Sequence, residues 1–97
     1  MSIRLQRWFW MHLANWCHVL RQRDTALRYF GYALALVPDD PQVLGSMGFE
    51  LLQLGRKREA LVKFDQAVAI RPDWPEVQFG RGFLLQEQGD HETALAA

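Results

Sequence analysis

Displaced by 34 residues, the chain matches itself, and the register never changes along its length. The shift lays Ala26-Leu27 on Ala60-Leu61, Phe30 on Phe64, Ala33 on Ala67, and Pro38-Asp39 on Pro72-Asp73. It also lays Pro41 on Pro75, Gly48-Phe49 on Gly82-Phe83, Leu51 on Leu85, Gly55 on Gly89, and Ala60-Leu61 on Ala94-Leu95. A constant offset carried by Gly, Pro and Ala means one supersecondary unit copied without insertion. Such units bury their apolar faces only by stacking on one another. The 97 residues then divide into a short lead, repeat 1 over 7–40, repeat 2 over 41–74, and an incomplete repeat 3 over 75–97, about 2.7 repeats in all.

Within a unit the apolar spacing is helical. Val43, Leu44, Met47, Leu51 and Leu54 follow steps of three and four residues and predict a helix over 41–54. Asp40-Pro41 suits its start, with a carboxylate to cap free N–H groups and a proline in the first turn. Gly55 suits its end, because glycine reaches the left-handed conformation at a helix C-terminus. A second helix is expected over 57–70, burying Ala60, Leu61, Phe64, Ala67, Val68 and Ile70 and stopped by Pro72. The same plan predicts helices near 3–20 and 24–36, with Asp24 as cap, a fifth over 75–88, and a sixth starting at Asp90.

Small residues recur at fixed places: Ala14, Gly48 and Gly82 on each first helix, and Ala26, Ala60 and Ala94 on each second. They let antiparallel helices approach to the short end of the roughly 8–10 Å range. Trp10, Leu44, Phe30 and Phe64 then fill the space around the contact. This pattern resembles the tetratricopeptide repeat (TPR): Trp10 or Leu44, then Leu13-Ala14 or Met47-Gly48, later Ala26 or Ala60, Phe30 or Phe64, Ala33 or Ala67, and Pro38 or Pro72. The third unit departs at its start, where Gln78 and Arg81 stand in place of apolar residues. The resemblance implies an all-α, right-handed superhelical solenoid of antiparallel helix pairs. Its concave face, lined by the first helix of each unit, commonly binds peptides or helices of partner proteins.

By that resemblance the groove is lined by Trp8, Met11, Asn15 and Val19, then Gln42, Gly45, Phe49 and Leu52, then Glu76, Phe79, Phe83 and Gln86. Family grooves that grip a terminal carboxylate use lysine, arginine and asparagine, whereas here Met11, Ser46 and Phe79 occupy such positions. An asparagine ladder along a peptide backbone fails at His12, Ser46 and Gly80. An apolar, aromatic groove suits an amphipathic or hydrophobic helical segment instead. Trp8, Met11, Phe49, Leu52, Phe79 and Phe83 are the expected anchors, with Asn15 and Gln86 as polar fixing groups. The expected function is a protein-interaction scaffold. The alternatives are a self-assembling repeat, a secretion-type chaperone, or the non-catalytic arm of a larger enzyme such as a glycosyltransferase.

Both ends of the stack raise a question of association. Phe9, Trp16 and Leu20 recur on a side of the first helix that an earlier repeat would cover, and solenoid ends normally carry polar caps. They are the expected homo-oligomer face. The sixth helix has room for few residues and lacks the aromatic that Phe30 and Phe64 supply, so a piece of a longer repeat protein is the favoured reading. Charge divides too: residues 1–36 carry five arginines against Asp24, and residues 37–97 carry six bases against ten acids. Ordinary solvated helix faces account for that, with head-to-tail attraction between copies as the alternative.

Other chemistry is not expected. The net charge is zero, so no overall field favours nucleic acid. No apolar run reaches the ~20 residues of a membrane span. His12, Cys17 and His18 do not share one helix face as metal ligands would. The glycines Gly45, Gly48, Gly80 and Gly82 lie inside predicted helices rather than in a phosphate-cradling loop. Ser2 and Ser46 are the only serines, and no serine–histidine–acid set is suggested. No enzyme, metal or cofactor follows, and a cytoplasmic location is the expectation.

Overall fold

The computed structural model describes the backbone of residues 2–96 and the side chains of residues 2–90. Its elements are α1 (Ile3–Val19), α2 (Arg23–Leu36), α3 (Pro41–Gln53), α4 (Lys57–Ile70) and α5 (Pro75–Ala96), with no strand among the described residues. α1 packs on α2 and α3 on α4 as close pairs, and α2–α3 and α4–α5 contacts join the pairs in series. The stack is elongated, 56 × 27 × 19 Å.

Local chemistry sets the helix ends. Ser2 accepts from the Leu5 amide at 3.2 Å, and Asp40 accepts from the Gln42 amide at 3.0 Å ahead of Pro41. α3 stops where Gly55 turns left-handed at φ 81°. One unit earlier the same register place is Arg21, also left-handed at φ 60°, where a side chain costs about 1–2 kcal/mol. α2 starts at Arg23, with Gln22 as its N-cap and no side-chain capping bond. Asp24 is therefore not the cap. It lies in the first turn, where its charge favours the helix dipole.

Two core clusters follow the pairs. Met11, Ala14, Ala26, Phe30, Ala33 and Val43 form the first, and Leu44, Leu51, Ala60, Phe64, Ala67, Val77 and Leu84 form the second. Phe64 is the joint of the second. A methyl group at Gly48 would meet its ring at 2.5–2.6 Å, and one at Gly80 would meet it at 3.0–3.1 Å. Glycine at both places lets one ring touch α3 and α5 together.

The third unit differs from expectation. α5 runs unbroken to Ala96, so no separate helix begins at Asp90, and Gly89 sits within the helix. The helical hydrogen bonds instead continue through Gly89 without a turn. Gln78 and Arg81 are also accommodated. α5 buries Val77, Gly80 and Leu84, while Gln78 donates to the Pro72 carbonyl and Arg81 pairs with Asp65 of α4.

Two substitutions test these joints. Arg21→Gly relieves the left-handed strain, offset by roughly 0.5–1 kcal/mol of glycine entropy. A net gain of about 0.5–1 kcal/mol is expected, read as a rise of a few degrees in Tm. Gly48→Ala forces the Phe64 ring to move and is expected to cost about 1–3 kcal/mol in urea denaturation.

Candidate functional site

Phe49 on α3 is common to the linings of two surface depressions. Its ring meets Phe64 edge-on with centroids 5.0 Å apart, which fixes it from behind. The two depressions open on either side of it. One, about 500 Å³, is lined by Asn15, His18, Arg23, Phe30, Ser46, Phe49, Glu50 and Gln53. The other, about 570 Å³, is walled by Phe49, Trp74, Pro75, Glu76 and Phe79 and is largely apolar. Trp74 is held there because its ring lies over Gly45, within 2.8 Å of where a Cβ would stand, with the Arg71 guanidinium 5.0 Å from its centroid.

The floor of the polar depression is an ion pair inside the joint between units. Glu50 is buried on α3, and both its oxygens are satisfied. Arg23 donates from Nη1 to Oε2 at 3.1 Å, and His18 donates from Nδ1 to Oε1. A carboxylate only accepts, so Nδ1 carries the proton in this pairing. Arg7 on α1 also pairs with Asp40 at the N-cap of α3, and its Nη2 reaches across to Gln42 Oε1 of the next unit at 3.3 Å. The carboxyl held below the usual range, Glu59, owes this to hydrogen bonds from Arg56. It lies at the start of α4, outside both linings.

The expected groove residues divide. Phe49 and Phe79 face one cavity, Asn15 lies in the adjoining one, and Phe79 is 77% exposed. Leu52 is half-buried against the second core cluster. Phe83 and Gln86 are exposed on α5 but line neither depression. Trp8 is exposed, with its ring centroid 4.2 Å from that of His12, and borders a separate shallow depression with Ser2, Arg4 and Leu5. Met11 is a correction: it belongs to the first core cluster, turned toward α2 on the same side as Ala14. Gly45 is likewise buried, covered by Trp74. Phe9, Trp16 and Leu20 are all exposed.

No protein-family model and no curated protein sequence matches the chain. Solved structures do. A truncated MamA from Desulfovibrio magneticus RS-1 superposes with TM-score 0.82 at 24% identity, over 94% of this chain and 51% of that one. MamA from AMB-1 gives 0.76 at 24%, over 98% and 50%, and a point mutant of MamA gives 0.77 at 26%, over 93% and 66%. The fold is that of the tetratricopeptide repeat. The chain spans about half to two-thirds of the length of these TPR structures.

Against the TPR register, the residues that sequence reasoning missed become intelligible. Glu50 falls in the column of Trp16 and Leu84, and a carboxylate in an apolar column was the available signal. Trp74 occupies the column of the capping Asp40, so a large ring where a cap is wanted pointed to a cavity wall. Among the described residues, no cluster of three His, Cys, Asp or Glu could hold a metal ion, and no helix is long and apolar enough to cross a membrane.

Arg23→Met leaves a buried Glu50 oxygen without its partner and is expected to cost about 3 kcal/mol. Glu50→Leu, which copies Leu84 in the next unit, is expected to cost less because Arg23 can return to solvent. Urea denaturation of both variants checks the order.

Proposed function

We propose that this chain is a non-catalytic protein-interaction module whose groove takes an apolar or amphipathic helical segment of a partner protein. The observation that carries the reading is the cavity between Phe49, Trp74 and Phe79, about 570 Å³. That volume suits one or two large apolar side chains within the usual range for ligand pockets. Phe79 is too exposed to be explained as core. Aromatic anchors beside a hydrophobic hollow are what a helix presenting residues i, i+3, i+4 and i+7 engages.

The adjoining depression supports a directional grip. Asn15, Ser46 and Gln53 offer side chains that both donate and accept, next to an apolar wall they share through Phe49. A bound helix would set its apolar face against Phe49 and Phe79 and its polar edge toward Asn15. Glu50 is held by His18 and Arg23, so its role there is to keep the floor rigid. The tetratricopeptide fold itself supports a role in binding proteins.

A fluorescent 18-residue amphipathic peptide, with Leu and Phe on one face, tests the reading by anisotropy. Phe79→Asp is expected to weaken its binding about thirty-fold, the loss of a hot spot of about 2 kcal/mol, with the helical circular dichroism unchanged. Equal binding of a scrambled peptide lacking the apolar face, or unchanged affinity in the variant, would contradict the proposal.

A further inference from the structure

The two ends of each unit are related by register, and that relation isolates one uncovered face. Val43 and Glu50 on α3 are 0% and 3% exposed where α3 rests on the preceding pair, and Val77 and Leu84 on α5 are likewise 0% and 3%. One unit earlier the same columns hold Phe9 and Trp16 on α1, which are 47% and 66% exposed. α1 therefore presents a docking face of the kind its sister helices bury. Leu5 and Leu20 extend it, and Trp8 and Val19 flank it, all about half exposed or more.

We propose that this face pairs with the same face of a second copy, the two α1 helices antiparallel about a two-fold axis near His12 and Leu13. The first argument is spacing. Four residues separate Leu5 from Phe9, seven separate Phe9 from Trp16, and four separate Trp16 from Leu20. That series reads the same in both directions. An antiparallel partner thus sets Phe9 of one copy over Trp16 of the second copy, and Leu5 over its Leu20. In a two-fold interface each such contact occurs twice, so two aromatic pairs form at once.

The second argument is charge. The stripe of α1 that contains these residues also holds His12 and Leu13 but no Arg, Lys, Asp or Glu. Arg4 stands at the edge of the face beside Leu5 and Trp8, about 100° around the helix from Leu5, and Arg21 lies in the turn after α1. The centre of the contact therefore brings no like charges together.

Area is the third. The six side chains expose on the order of 600 Å² of apolar surface, the upper end of what a monomer's largest patch ordinarily carries. With their polar rim they approach the roughly 800 Å² per partner of a standard interface. The pairing uses the outer side of α1 and leaves the Phe49–Phe79 cavity free, so it stands apart from the groove reading.

Sedimentation equilibrium of the full chain tests the proposal. A dimer is expected at tens of micromolar, with its dissociation constant unchanged between 50 and 500 mM salt because the contact is apolar. Phe9→Lys and Trp16→Glu each weaken it at least tenfold. Their equimolar mixture recovers a heterodimer tighter than either variant alone, since one junction keeps Phe9 on Trp16 and the other brings opposite charges together. A wild-type monomer at 100 µM overturns the proposal. So does growth beyond a dimer with concentration, which marks head-to-tail stacking, and so does a mixture no tighter than its components. Circular dichroism of both variants shows that they are folded.

Discussion

The ring of Phe64 lies where three helices meet, and the geometry of the second half of the stack depends on its fit. It projects from α4 into the hollow left by Gly48 on α3 and against Gly80 on α5. It also meets Phe49 edge-on, the residue common to both depressions. Core packing and the candidate site are thus one chain of contacts. Shift the ring, and the wall of the groove shifts with it. Interiors packed to crystal density transmit such displacements rather than absorbing them.

Most of the fold was legible because repetition turns one pattern into several observations. The columns holding Ala14, Gly48 and Gly82, or Ala26 and Ala60, constrain helix pairing more tightly than any single stretch could. Prolines and Gly55 placed the boundaries of α3 and α4 to within a residue. What escaped were effects outside that pattern. A left-handed arginine at position 21 was marked only by sharing the column of Gly55, because arginine is not a turn residue by preference. The unbroken α5 escaped as well, because Gly89 stands in the column of the turn-forming Gly55 and yet lies within a helix.

The site was legible in part for the same reason. Exposed rings on a predicted groove face, Phe79 above all, announce themselves by being large and apolar where the core does not claim them. Met11 did not separate from them, since a helix whose apolar residues cover most of its circumference leaves the buried side undetermined. α1 is such a helix: Phe9 and Trp16 face outward while Met11 and Ala14 face α2. The polar depression depended on tertiary approach, because His18, Arg23 and Glu50 come from three helices and share no spacing.

Glu50 also says something about the order of the units. In its place α5 has Leu84, and where α1 and α2 offer His18 and Arg23, the next unit offers Leu52 and Lys57. Leu84 and Leu52 pack in one apolar cluster, whereas Glu50 meets its two donors. Exchanging the units would bury Glu50 opposite Leu52 and leave Leu84 against a histidine and an arginine. A buried carboxylate without its donors costs several kcal/mol, far more than the same pair contributes when matched. The joint between the first two units is therefore less a source of stability than a lock on which surface may follow which. The same logic applies to the exposed face of α1. Trp16, standing in the column of Glu50 and Leu84, has neither carboxylate nor cationic partner to satisfy, and so it excludes the polar joint and selects an apolar one.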